Sequence, residues 1–77
     1  MGVVEVNGYE IGPGADLKGA TLRKADFTGA HLYWVNLTGA GLLGADLSGV
    51  SLERVKADED TIWPAGFDPV AAGVIFD

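Results

Sequence analysis

From Ala15 to Leu52 the chain repeats a five-residue unit, and a period of five fits neither of the two regular secondary structures. The units read ADLKG, ATLRK, ADFTG, AHLYW, VNLTG, AGLLG, ADLSG and VSLER. A small apolar residue opens each one (Ala15, Ala20, Ala25, Ala30, Val35, Ala40, Ala45, Val50). Leu or Phe follows two places later (Leu17, Leu22, Phe27, Leu32, Leu37, Leu42, Leu47, Leu52). An α-helix turns about 100° per residue, so a five-residue step advances about 500° and the leucines spiral without making a face. In a continuous strand an odd period sends successive leucines to opposite sides. Within one unit, however, the alternation is that of a very short strand: Ala15 inward, Asp16 outward, Leu17 inward, then Lys18 and Gly19 to turn. A chain that repeats this inward pair after every bend must coil around a shared axis. Such coils stack about 4.8 Å apart and bond through the backbone to the coil above and below.

These units resemble those of the pentapeptide-repeat proteins, in which Ala, then Asp or Asn, then Leu is followed by two polar or small residues. Ala15-Asp16-Leu17, Ala25-Asp26-Phe27, Val35-Asn36-Leu37 and Ala45-Asp46-Leu47 carry the likeness most plainly. The resemblance implies an all-β fold, a right-handed quadrilateral parallel β-helix with four units per coil. This chain then holds about two complete coils and a partial third beginning at Val55-Lys56-Ala57. Val6 to Gly14 looks like a common entrance to such helices, and Thr61-Ile62-Trp63-Pro64 with Gly66-Phe67-Asp68-Pro69 like a common exit. The expected division of this single domain is an N-terminal hairpin cap over 1–14, the repeat helix over 15–59, and a C-terminal cap with an apolar tail over 60–77.

The ends have their own signals. Val3-Val4-Glu5-Val6, then Asn7-Gly8, then Tyr9-Glu10-Ile11 predicts a β-hairpin with a type I′ turn covering the first coil. Asp68-Pro69-Val70-Ala71-Ala72-Gly73 has an N-cap, a proline at the first helical position and a terminating glycine, which predicts a short helix. Trp63 and Phe67 are expected to plug the bottom of the core. Val74, Ile75 and Phe76 exceed what capping requires, and suggest packing along the helix or docking onto another chain.

Composition narrows the function. At 77 residues, 48% of them apolar, the chain has room for one core and is too hydrophobic for disorder. With no cysteine there are no disulfides and no thiolate chemistry. Met1-Gly2-Val3-Val4-Glu5 lacks a basic n-region, and no apolar run is long enough to cross a bilayer. The expected location is therefore cytoplasmic or virion-associated, without a signal peptide and without a membrane partner. A net charge of −6 argues against nucleic acid as a direct ligand, because phosphate contacts need clustered Lys and Arg.

With four units per coil, residues twenty apart stack, and the outward positions fall on four faces. The first carries Asp16, Asn36 and Lys56; the second Thr21, Arg23, Lys24, Gly41, Leu43 and Gly44; the third Asp26, Thr28, Asp46 and Ser48. The fourth groups His31, Tyr33 and Trp34 with Ser51, Glu53 and Arg54. Trp, Tyr and Arg are enriched in binding hot spots, so this face is one candidate docking surface. The competing reading folds Tyr33 and Trp34 back over a corner with Arg54 stacked on a ring as a local cation–π contact. Leu43, outward in Gly41-Leu42-Leu43-Gly44, could extend a contact patch, although a single exposed leucine usually means nothing. Asp26 over Asp46 invites either a bridging cation or hydrogen bonds from Thr28 and Ser48, and solvated carboxylates are the expected state. His31 has no Cys or second His near it for a transition-metal site.

No catalytic, cofactor-binding or metal set is discernible: there is no phosphate-cradling glycine loop and no fixed Ser/His/Asp arrangement. The expectation is a non-enzymatic structural or protein-binding module. It would act as a small accessory or decoration subunit, docked on a larger assembly such as a virion, or self-associating as a homo-oligomer. Two coils offer few inter-coil interfaces, which itself favours a neighbour. The candidate contact residues are His31, Tyr33, Trp34, Leu43, Arg54, Val74, Ile75 and Phe76. The resemblance supplies two alternatives. One is an acidic mimic of double-stranded DNA that occupies DNA gyrase, as some family members do to protect it from quinolones. The other is an orphan repeat protein without an assigned role. Two coils rise only about 10 Å, and Lys18, Arg23, Lys24, Arg54 and Lys56 interrupt the acids, so the mimic reading comes second.

Overall fold

The computed structural model describes residues 4–76. Val3, assigned above to the first strand, and Asp77 lie outside the described residues. The chain opens with a hairpin, β1 (Val4–Val6) and β2 (Tyr9–Ile11), paired antiparallel with Val6 opposite Tyr9. Asn7 and Gly8 have φ of 52° and 86°, the two positive angles that a type I′ turn demands. The hairpin lies over the first repeat units. Asn7 Nδ2 donates to the Arg23 carbonyl at 3.3 Å, and the Tyr9 hydroxyl accepts the Thr21 N–H at 3.4 Å. Ile11 is fully buried.

From residue 15 onward the chain forms a β-helix-like repeat. Parallel pairs join Asp16 to Asn36, Thr21 to Gly41, Asp26 to Asp46, and His31 to Ser51, so each column links residues twenty apart. Main-chain bonds tie the rungs together, for example Leu17 N to Asn36 O at 2.9 Å and Asn36 N to Ala15 O at 3.0 Å. Each unit also closes its own corner, as where Ala20 N donates to Leu17 O at 3.0 Å. The inward positions make one core, with Leu22, Phe27, Leu32, Leu37, Leu42 and Leu52 all essentially inaccessible to solvent.

The third turn departs from the period. The second column runs from Thr21 through Gly41 to Ile62, a step of twenty-one at its last rung, so one extra residue lies between Val55 and Thr61. Thr61 takes the inward position there and is buried. The first column continues further, through Lys56 to a fourth rung. Its last pair is β3 (Lys56–Ala57) with β4 (Ile75–Phe76), parallel, with Ile75 opposite Lys56 and Phe76 opposite Ala57. The tail thus completes the column as one more rung, Val74-Ile75-Phe76 under Val55-Lys56-Ala57, with Val74 buried like Val55.

The expected helix over 68–73 is not formed, and a single capped turn stands in its place. Asp68 caps as predicted, its Oδ1 accepting the Val70 and Ala71 N–H groups at 3.1 and 3.2 Å. Ala72 N then reaches Asp68 O, but Gly73 is left-handed at φ 89° and Val74 N closes back on Pro69 O at 3.1 Å. The stop signal falls so soon after the start that no second turn can propagate. Trp63 and Phe67 stack at 5.4 Å and pack half-buried against the lower core.

Candidate protein-binding face

The fifth residue of every unit turns the corner in the left-handed conformation. Five of the eight are glycines, while Lys24, Trp34 and Arg54 hold φ of 58°, 66° and 63°. A side chain at such an angle costs about 1–2 kcal/mol, which glycine avoids. Trp34 and Arg54 occupy the same corner one rung apart, joined by the Trp34 N–H to Glu53 O bond at 3.2 Å. The Arg54 guanidinium lies 5.1 Å from the centre of the Trp34 ring. Beside them His31 stacks on Tyr33 at 6.0 Å, with the ring planes 22° apart. The local cation–π contact is therefore present, yet it does not cover the indole: Trp34 is 64% exposed. Tyr33 is half-buried, while His31 and Arg54 are exposed.

The structure gathers His31, Tyr33, Trp34 and Arg54 on one side and places the remaining candidates elsewhere. Leu43 is exposed on the second column's side, and Ile62, one rung below Gly41, is exposed there too. Val74, Ile75 and Phe76 form the lower end. The sequence reading missed Ile62 and Val70, both exposed. For Ile62 a signal existed, since once the extra residue before Thr61 is allowed for, it falls on an outward second position where most units carry a polar residue.

On the third side Asp26 and Asp46 face adjacent rungs. Each turns along its own unit, Oδ1 accepting the Thr28 N–H and the Ser48 N–H respectively at 2.9 Å. The hydroxyl and N–H of Thr28 hold the Asp26 carboxyl below its usual range against a smaller desolvation effect. The hydroxyl and N–H of Ser48 do the same for Asp46, outweighing desolvation and the repulsion from Asp26. These hydrogen bonds offset the repulsion between the stacked charges. Among the described residues no cluster of three or more His, Cys, Asp or Glu is placed to hold a metal ion. Among them, too, no helix is long and apolar enough to cross a membrane. A shallow open groove of about 260 Å³ runs under the third column, lined by residues 45–48 and 64–67.

A family model described as pentapeptide repeats matches residues 14–54 in eight copies. No curated protein and no solved structure matches the chain.

Proposed function

Since this chain belongs to the pentapeptide-repeat family, we propose that it is a non-enzymatic protein-binding module whose contact face is His31, Tyr33, Trp34 and Arg54. In this reading the four columns are the sides of a right-handed quadrilateral β-helix of about two coils. The hairpin over 1–14 and the segment 60–77 act as caps of the repeat over 15–59. The module serves as an accessory or decoration subunit that docks on a larger assembly, or on itself.

One observation carries the proposal. Trp34 holds a large apolar side chain in solvent at a corner where most units have glycine, and at a backbone angle that penalises it. Residues kept in unfavourable conformations cluster where function needs them. An exposed Trp with a stacked Arg is also the composition of an interface hot spot. Asp26 and Asp46 on the third column, held charged by their Thr and Ser neighbours, favour the second reading, an acidic DNA mimic acting on DNA gyrase. That reading has only two stacked carboxylates on its face, with Lys18, Arg23 and Lys24 elsewhere on the surface.

Comparing the native-source protein with its Trp34→Asn variant tests the first reading. A partner that copurifies with the wild type, or a mass above the monomer in light scattering, should be lost in the variant while the far-UV CD spectrum is kept. Identical complexes from both proteins reject the face. Inhibition of gyrase supercoiling by micromolar protein would move the mimic reading to first place.

A further inference from the structure

We infer a second binding site at the lower end of the repeat, where the open edge of β4 takes an extended protein segment in which basic residues flank an apolar run. The site is independent of the Trp34 face. The first column reads inward as Leu17, Leu37, Ala57 and Phe76, with Ala57 and Phe76 paired. Partners in a parallel pair project to the same side, so Phe76 continues the core below the small Ala57. Unlike the residues above it, Phe76 is 43% exposed, and among the described residues no rung covers it from below. The rung ends in an apolar inward side chain that a further strand would bury.

The backbone is open on the same edge. Ile75 N donates to Val55 O at 2.8 Å, so the polar groups of Ile75 point up at β3. Those of Phe76 alternate and point away from it. With Ile75 bonded to β3, the parallel pattern turns the Phe76 N–H toward the open side. Such an edge is a template for strand addition, in which main-chain bonds give the affinity and alternate side chains give the selectivity.

Charge selects the occupant. Residues 57–76 carry Asp58, Glu59, Asp60 and Asp68 and no Lys, Arg or His. Asp58 to Asp60 form the corner immediately after Ala57, the partner of Phe76, and Asp68 caps the turn that leads into β4. The nearest basic residue along the column is Lys56, one rung above Ile75. A second copy would bring these acids against their equals. A strand with Lys or Arg on either side of an apolar centre meets them with opposite charge. Val70 and Ile75, both exposed, add apolar surface beside the edge.

The test uses a short labelled peptide with a central valine–threonine alternation flanked by lysines, and a control flanked by glutamates. Fluorescence anisotropy should show the lysine peptide binding the full chain at least about tenfold more tightly than the control, and more weakly as salt rises. Phe76→Pro removes the N–H on the open edge while leaving the Ile75 bond to Val55, and should abolish binding; Trp34→Asn should bind as the wild type does. In hydrogen exchange on the wild type, the peptide should protect the Phe76 amide. Equal binding of both peptides, no protection at Phe76, or a concentration-dependent dimer that Phe76→Pro dissolves would each overturn the assignment, the last by giving the edge to a second copy.

Discussion

Asp58 does for Gly39 what a main-chain carbonyl does one rung higher. Gly19 N donates to Thr38 O at 2.9 Å, whereas Gly39 N donates to the Oδ1 of Asp58 at 3.0 Å. The substitution occurs where the repeat gains its extra residue, so the carboxylate bridges a corner that the shifted backbone does not reach. The same oxygen accepts the Asp60 N–H at 3.0 Å. Burial acts to raise the Asp58 carboxyl, but the Gly39 and Asp60 N–H groups and Thr61 together bring it below its ordinary value.

That direction fixes a pH dependence. A carboxyl whose pKa is lower in the folded state contributes stability above its unfolded pKa and loses it as pH falls through the folded value. The wild type should therefore melt at a higher temperature than Asp58→Asn near neutrality. The gap should close as pH falls below about 4. Thermal CD melts of both proteins from neutral to acid pH read this directly, and a gap that stays constant would contradict the role given to Asp58. Asp26 and Asp46 add acid sensitivity to both proteins equally, so the difference isolates Asp58.

Thr61 completes the same corner from inside. Its hydroxyl donates to the Leu37 carbonyl at 2.8 Å and accepts the Asp58 N–H at 3.2 Å, and the side chain is buried. Thr61→Val keeps the shape and removes both bonds, leaving the part-buried Asp58 N–H without its acceptor and the Leu37 carbonyl with the Ala40 N–H alone. A loss of about 1–3 kcal/mol in urea unfolding is expected, with an unchanged m-value. A neutral substitution would mean that water replaces the hydroxyl.

The core makes a sharper demand. Phe27 and Leu37 are buried at the third position of their units, and Thr28 is exposed at the fourth. Leu37→Ala should cost about 2–5 kcal/mol and Phe27→Ala about 3–5 kcal/mol, a large part of the stability of a domain this small. Phe27→Asp and Leu37→Asp should not fold at all. Thr28→Asn, which only trades one partner of Asp26 for another, should stay within about 1 kcal/mol. Equal tolerance at the three positions would be incompatible with a shared interior.

The period of five made the inward residues legible because every Leu and Phe in it obeys one constraint, burial after each bend. The hairpin was legible for a local reason: Asn7-Gly8 has few conformations to choose from. The six-residue unit after Val55 was harder to see. Its one local mark is Ala57 at the third position, where all eight units before it have Leu or Phe; the extra residue shows only when Thr61 lands inside, and the compensation is a side-chain bond rather than a pattern. The tail's frame as a rung is not local: it depends on a long-range pairing with Val55 to Ala57. At 68–73 the Asp68 cap and the left-handed Gly73 are both formed, but they stand so close together that only one i→i−4 bond, Ala72 N to Asp68 O, fits between them. Of the candidate contact residues, the grouping on the fourth side followed from the twenty-residue stacking. The left-handed backbone at Trp34 did not, except through the glycines that hold the equivalent place in other units.

Trp34 offers a prediction in which stability and binding move apart. If its ring serves only the fold, its removal should destabilise the protein. Against that stand the backbone angle, which costs about 1–2 kcal/mol for a side chain of this kind, and the exposed contact with Arg54, which returns only about 0.5–1 kcal/mol. Asn tolerates the left-handed region better than Trp does. Trp34→Asn should therefore unfold in urea within about 1 kcal/mol of the wild type, or later than it. Association through this face should meanwhile weaken at least about tenfold, as expected when a hot-spot aromatic is removed. Loss of about 2 kcal/mol or more with association unchanged would make the indole a structural residue and the face an ordinary corner. Arg54→Ala separates the two contributions further. It removes the stacked cation without touching the Trp34 backbone, so it should weaken association less than Trp34→Asn does, and a larger effect would shift the centre of the face to Arg54.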